Sequence, residues 1–296
     1  MDEDLTSPGA TTSVGLTFVN GALGADPAYA AALVTAAERV GFESLWAVQH
    51  VVIPVEHVSK YPYSSTGKLE GDVAGPVPDP LVWLAWAGAL TATIRLATGV
   101  FILPQQHPLV VAKQVATVDR LTGGRVILGV GVGWLREEFE ALDSSFDDRG
   151  QRMDEAVQVL RRSWAAGPTS FDGTQISFPP VHMSPKPTGL IPIVIGGHTA
   201  AAARRAGRLG DGFFPLGCPA DRLVELVELA RRTATEHGRD PALLEITADA
   251  PRTPADAEAQ QAVGVDRVVI NAPGRIVDDL DGELARRLAK ATALFR

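Results

Sequence analysis

Arg125-Val-Ile-Leu-Gly-Val-Gly-Val-Gly-Trp134 follows the turn Leu121-Thr-Gly-Gly124 and dissolves into glycines just before Arg136-Glu-Glu138. An apolar run of this kind reads as a strand buried on both faces, as parallel sheets require. Gly129, Gly131 and Gly133 recur at alternate positions, so one face of the strand lacks side chains and offers its backbone to a flat ligand. The same pattern also marks a bulge or a tight barrel corner. It does not make a dinucleotide fingerprint: the third glycine of GxGxxG is out of register and no acidic residue closes a second strand about twenty residues on.

Outward from that stretch, strands and helices alternate. Val14–Val19, Ser44–Val48, Arg95–Pro104, Arg125–Trp134, Ile191–Ile195, Gly212–Pro215, Leu244–Ala248 and Arg267–Asn271 read as strands. Helical spacing runs through Tyr29–Val40, Asp79–Leu90, Pro108–Leu121, Arg149–Ala165, Thr199–Leu209, Asp221–His237, Pro254–Val263 and Asp281–Leu294. Eight strand–helix repeats with Gly or Pro at nearly every junction predict an α/β protein of the (β/α)8 TIM barrel type, with a doubly wound open sheet as the alternative. The 296 residues suit one barrel domain over 14–296 behind a flexible N-terminal tail, 1–13. Phe171–Phe178, with Asp172-Gly173 in its turn, reads as a hairpin excursion before the fifth barrel strand. Pro185-Lys-Pro187 is an extended approach to that strand, with Lys186 in solvent.

Composition narrows the function. A formal charge of -8 with scattered Lys and Arg argues against nucleic acid and anionic membrane as partners. No apolar run approaches the roughly 20 residues of a membrane span, and no secretory signal is visible in 1–13, so a cytoplasmic protein is expected. The single Cys218 leaves no internal disulfide and reads as a small loop residue.

Barrel sites lie at the carboxyl ends of the strands. Strand two ends at Gln49-His50, strand three at Thr98-Gly99-Val100, strand four at Gly131 to Trp134, and strand five at Gly196-Gly-His-Thr199. His50 is either a proton donor or acceptor at the mouth or a loop histidine. Gly196-Gly197 ahead of the Thr199 helix is either an anion site on free N–H groups or a turn with an N-cap. The segment Val51 to Val77 exceeds an ordinary connection and reads as a lid, a substrate wall or a disordered segment; after strand two it overhangs the mouth, and Tyr61-Pro-Tyr63 either forms a substrate wall or packs on the body of the loop. His50, His57, His107 and His198 show no HxH or HExxH pairing, against a metal-dependent hydrolase.

Together, Ser44-Leu-Trp46 before His50, Thr98-Gly-Val100, Leu121-Thr-Gly-Gly-Arg125, Gly129-Val-Gly-Val-Gly-Trp134, Arg149-Gly-Gln-Arg-Met-Asp-Glu155, Pro185-Lys-Pro187 and Ile195-Gly-Gly197 resemble the bacterial luciferase-like flavin superfamily, most closely its coenzyme F420-dependent oxidoreductases. The resemblance spans about Val14 to Phe295. It implies a cavity for F420, or alternatively FMN, with the ring against strands two to four, a non-proline cis peptide at Gly99-Val100, and the phosphate at Gly196, Gly197, His198 and Thr199. It implies His50 as the residue that handles the substrate proton, with Gln49, Thr98, Gly131, Gly133 and Trp134 around the ring. Gln49 stands where many relatives carry Asp, and Trp134 and Glu137 where some sugar-phosphate dehydrogenases carry an acid and an amide, which disfavours that activity. The implied reaction is hydride transfer with a small-molecule substrate carrying C=C, C=O or alcohol. Alternatives are an FMN-dependent monooxygenase and a barrel that binds a flavin without catalysis. A homodimer is also implied, with the apolar stretch Leu81-Val-Trp-Leu-Ala-Trp86 as either interface or core.

Overall fold

The computed structural model describes residues 12–64, 66–69 and 74–295. Its strands are β1 (Ser13–Thr17), β2 (Ser44–Ala47), β3 (Arg95–Thr98), β4 (Phe101–Ile102), β5 (Val126–Gly131), β6 (Thr169–Asp172), β7 (Ser177–Val181), β8 (Ile193–Gly196), β9 (Gly212–Phe214), β10 (Glu245–Asp249) and β11 (Arg267–Asn271). All but β6 and β7 run parallel in the order β3-β2-β1-β11-β10-β9-β8-β5-β4, and pairing of β3 with β5 closes the ring. With β3 and β4 as two halves of one position, this is a closed eight-stranded barrel; the open sheet is set aside.

The helices are α1 (Pro27–Val40), α2 (Pro80–Leu90), α3 (Pro108–Leu121), α4 (Arg136–Ala141), α5 (Arg149–Trp164), α6 (Ala200–Leu209), α7 (Ala220–Glu236), α8 (Pro254–Ala262) and α9 (Leu280–Ala293). Local chemistry starts them. Pro27, Pro80, Pro108 and Pro254 open four helices, behind Asp26, Asp79, His107 and Thr253, whose side chains accept first-turn N–H groups. At Leu121-Thr-Gly-Gly-Arg125, Gly123 and Gly124 turn at φ 71° and 86°. Arg125 then donates to the carbonyls of Gly88, Thr91, Ile94 and Thr122, binding the end of α2 to the start of β5.

Alternation sorts the side chains of each strand between two cores. Leu45, Leu96, Val126, Leu128 and Ile195 pack outward against the helices. Trp46, Ala97, Ile127, Val194, Phe214 and Val269 fill the interior. Trp46 is fully buried there, and a Cβ at Gly15 would come within 2.6 Å of its Nε1. At the amino-terminal end of the barrel, Arg267 lies between Glu43 (2.6 Å) and Glu245, with Thr247 at 3.2 Å. Burial pushes the Glu43 carboxyl up, but hydrogen bonding and attraction from Arg267 outweigh it and hold the group below the usual glutamate range.

Four expectations change. The first strand begins at Ser13, inside the expected tail, and residues 1–11 of that tail lie outside the described residues. The third strand is broken: β3 ends at Thr98, a cis peptide joins Gly99 to Val100, and β4 leads into a short 3-10 turn, Leu103–Gln105. Lys186 is not in open solvent but donates to the carbonyls of Ser163 and Gly167, tying the approach to the fifth barrel strand to the end of α5. Trp83 is core, its Nε1 donating to the Gly24 carbonyl at 2.8 Å, whereas Val82 and Trp86 on α2 are exposed. The hairpin stands as expected, with Phe171 opposite Phe178.

Candidate active site

A cavity of about 730 Å³ opens at the carboxyl ends of the strands, within the size range of ligand sites. Strand ends supply Gln49 and His50, Gly99, Val100 and Ile102, Gly131 to Trp134, and Gly196 to Thr199. Ile53, Tyr61, Pro62, Tyr63, Leu69 and Val77 close it from the long loop, so the loop is a wall of the site. Ser65 and 70–73 of that loop lie outside the described residues.

The glycines of the opening motif have two uses. Gly129 faces the barrel interior, where a Cβ would come within 2.0 Å of the Thr98 carbonyl oxygen. Thr98 itself is buried, its hydroxyl donating to the Gly129 carbonyl at 2.6 Å, and it does not line the cavity; its expected place at the ring is corrected to that of a strand-pairing residue. Further up, a Cβ on Gly131 or Gly196 would come within 2.6 Å of a Val100 methyl group. Val100 is thus a cushion between β5 and β8, and bare backbone is offered only beside it. Of the expected site residues, all except Thr98 meet in one cavity.

His50 is held from one side. Its Nδ1 lies 3.1 Å from Oε2 of Glu138, whose side chain is completely buried. The other carboxylate oxygen accepts the N–H groups of Val51 (2.7 Å) and Val52 (3.3 Å). Burial pushes the Glu138 carboxyl up, yet hydrogen bonding and attraction from His50, with the Val51 N–H, keep it below the ordinary glutamate value. Beside it, Glu137 accepts from Val58 (2.7 Å) and Ser59 (3.1 Å); against the cost of burial, these hydrogen bonds take it down to about 2. Two successive glutamates of α4 therefore clamp residues 51–59. Trp134 stands between, its ring edge-on to His50, His57 and Tyr61 at centroid distances of 6.0, 6.0 and 5.2 Å.

Among the described residues, two buried polar atoms along the cavity have no protein partner. Gln49 Oε1 accepts the Ile102 N–H at 2.5 Å while its Nε2 is left unpaired, and Nδ1 of His198 is unpaired. Such groups are costly unless something else satisfies them.

The opposite end of the cavity gathers a helix amino terminus and basic side chains. Gly197 turns at φ 121° into α6, where Thr199 caps the Ala202 N–H and the first-turn N–H groups of Ala200 and Ala201 have no acceptor within the helix. The Gly197 N–H is spent on the Phe214 carbonyl (3.1 Å), so Gly197 serves the turn rather than supplying a donor. Arg149, Gly150 and Arg205 line the same end. Arg205 and Arg208 share the single carboxylate of Asp154. Arg149 donates to the carbonyls of Phe146 and Gly133 and stacks 3.7 Å over Phe146. Burial first, then repulsion from Arg136 and Arg205, pushes the Arg149 pKa down against the attraction of Asp147.

Sequence reading missed Glu138, Arg149 and Arg205 as site residues. Glu138 had a signal in its two-residue acidic pair directly after the strand-four glycines, but only the unforeseen helix α4 turns it toward His50. Arg205 reaches the cavity from the middle of a helix, where no strand-end rule looks.

The profile of the luciferase-like monooxygenase family matches residues 8–293. An F420-dependent glucose-6-phosphate dehydrogenase of Segniliparus rotundus is 30% identical over 209 residues, 69% of this chain and 57% of the relative. An FMNH2-dependent dimethylsulfone monooxygenase of Pseudomonas fluorescens is 33% identical over 153 residues, 50% of this chain and 42% of the relative. A solved F420-dependent secondary alcohol dehydrogenase, in complex with an F420-acetone adduct, superposes with a TM-score of 0.76 at 18% identity, covering 97% of this chain and 99% of that one. Homologues thus use either F420 or FMN, and the chain belongs to the luciferase-like monooxygenase family of oxidoreductases.

Proposed function

We propose that the protein is an F420-dependent oxidoreductase that moves a hydride between the deazaflavin and a small organic substrate bearing C=C, C=O or alcohol. One observation carries this reading: a single cavity joins a carboxylate-paired histidine at one end to two helix amino termini and two arginines at the other. The residues fit such a cofactor. The unpaired Nε2 of Gln49 offers a donor to a ring heteroatom, and Val100 offers an apolar surface beneath the ring. Arg149, Arg205 and the first turn of α6 offer donors and positive charge to a phosphate. When bound, the deazaflavin supplies hydride donation or acceptance, and the protein supplies the rest.

His50 gives or takes the substrate proton. Trp134, Tyr61 and Tyr63 exclude water and shape the substrate space, which suits a modest apolar molecule. The exposed Val82 and Trp86 of α2 are the place for a homodimer contact.

The test is an anaerobic assay of secondary alcohols and activated alkenes with F420, followed by the absorbance of the cofactor. Substrate-dependent bleaching or recovery is expected. A protein inert with F420 but oxygenating substrates with reduced FMN is instead the monooxygenase to which the Pseudomonas relative points.

A further inference from the structure

We propose that Glu138 is a positioning residue that locks His50 in one tautomer, so that neutral His50 meets the substrate with a bare Nε2 lone pair. The inference rests on the oxidoreductase reading above. An ionised carboxylate only accepts, so the hydrogen between Oε2 of Glu138 and Nδ1 of His50, 3.1 Å apart, belongs to the histidine. Neutral imidazole carries one N–H, and fixing it at Nδ1 leaves Nε2 unprotonated. Among the described residues Nε2 has no hydrogen-bond partner, and His50 lines the cavity. Glu138 is the charged group in contact with His50; the ring of Trp134 packs edge-on, and His57 lies against that same ring.

The second carboxylate oxygen of Glu138 fixes the geometry by holding the N–H groups of Val51 and Val52, the two residues that follow His50. Imidazole and backbone are therefore registered to the same buried group. This favours one chemistry at the site: an alcohol O–H would give its proton to Nε2 while its carbon gives a hydride to the oxidised deazaflavin, yielding carbonyl and imidazolium, and in the opposite direction the reduced deazaflavin would supply the hydride to carbon and the imidazolium the proton to oxygen. The substrate class favoured is an alcohol or its carbonyl partner.

The test reads the tautomer and not turnover. Long-range nitrogen–proton correlation spectra of the nitrogen-labelled full chain, with His50 assigned by the loss of its signals in His50→Gln, should show His50 as the Nδ1–H form at mildly alkaline pH. An Nε2–H form in the unsubstituted protein overturns the proposal by itself, whatever the variants do. Glu138→Gln should shift the tautomer ratio at least roughly tenfold toward Nε2–H, as the loss of a charged acceptor implies, while Glu138→Asp retains the Nδ1–H form. Glu137→Gln, which loosens Val58 and Ser59 but does not touch His50, should leave the ratio as it is; an equal shift there would make the effect one of loop order and would also overturn the proposal. F420 binding on the same samples separates the two readings: a locked tautomer without F420 binding removes the cofactor assignment and keeps the Glu138 role, and binding with an unlocked tautomer does the reverse.

Discussion

The two ends of the barrel treat buried polar groups in opposite ways. At the amino-terminal end, Arg267 is paired with two carboxylates and Thr247, and Trp46 Nε1 donates to Ser44 at 2.8 Å. At the mouth, among the described residues, Gln49 Nε2 and His198 Nδ1 are buried and unpaired, and Arg205 and Arg208 share the one carboxylate of Asp154. Arg267 and Trp46 find their partners within the protein, whereas among the described residues Gln49 Nε2 and His198 Nδ1 do not. The lesson is physical: stability and function compete for the same polar groups, and the barrel separates them by the length of a strand.

The largest effect is expected from removing a group at the mouth. His50→Gln should reduce turnover roughly 100- to 10,000-fold, the range for losing a proton-transferring side chain, with a urea midpoint lowered far less than in Arg267→Ala; a loss of stability as large as that of Arg267→Ala would show that His50 belongs to the core. Arg267→Ala at the other end should do the converse. It leaves Glu245 without its cation and Glu43 with Arg95 alone, at 3.5 Å, and should cost about 3 kcal/mol in urea unfolding, near the low end for a broken buried pair because both carboxylates are partly exposed. The folded fraction should bind cofactor as before.

Within β5 the same contrast runs between glycines two residues apart. Gly129→Ala drives a methyl group against the Thr98 carbonyl, backbone that cannot yield, and should cost roughly 1–3 kcal/mol of stability. Gly131→Ala presses on a Val100 side chain instead and should be felt chiefly as weaker cofactor binding in a fluorescence titration. Arg149→Gln should weaken binding of a phosphate-bearing cofactor about tenfold and make it less sensitive to salt.

The smallest effect is in acid. Glu43 and Glu138 are held below the ordinary glutamate range in the folded state, so their contribution is fully present above the unfolded value of about 4.3 and is lost as pH falls through the lowered folded values. Urea midpoints measured from neutral pH to below 4 should decline in the unsubstituted protein. The decline should be shallower in Arg267→Ala, which has already lost the largest part of the Glu43 contribution.

Most of the fold was legible because each element carries its own punctuation. Pro108–Leu121 and Arg267–Asn271 have the expected ends, and others differ by a residue or two. The site was legible where the strand-end rule applies, at Gln49-His50, Gly131 to Trp134 and Gly196 to Thr199. Thr98 was misplaced because a one-residue change of facing in a strand moves a side chain from cavity to pairing partner, and a strand broken at Gly99-Val100 hides that phase. Glu138 and Arg205 were hidden for another reason: they act through tertiary approach of helices, about which residue spacing along the chain says nothing.

The central claim is that the open end of the barrel is a deazaflavin site, and equilibrium fluorescence titration of the protein with F420 and with FMN, side by side, tests it most directly. Tight F420 binding, much weaker FMN binding and weakening of the former in Arg149→Gln are the predicted result; failure of both cofactors to bind at any attainable concentration would contradict it.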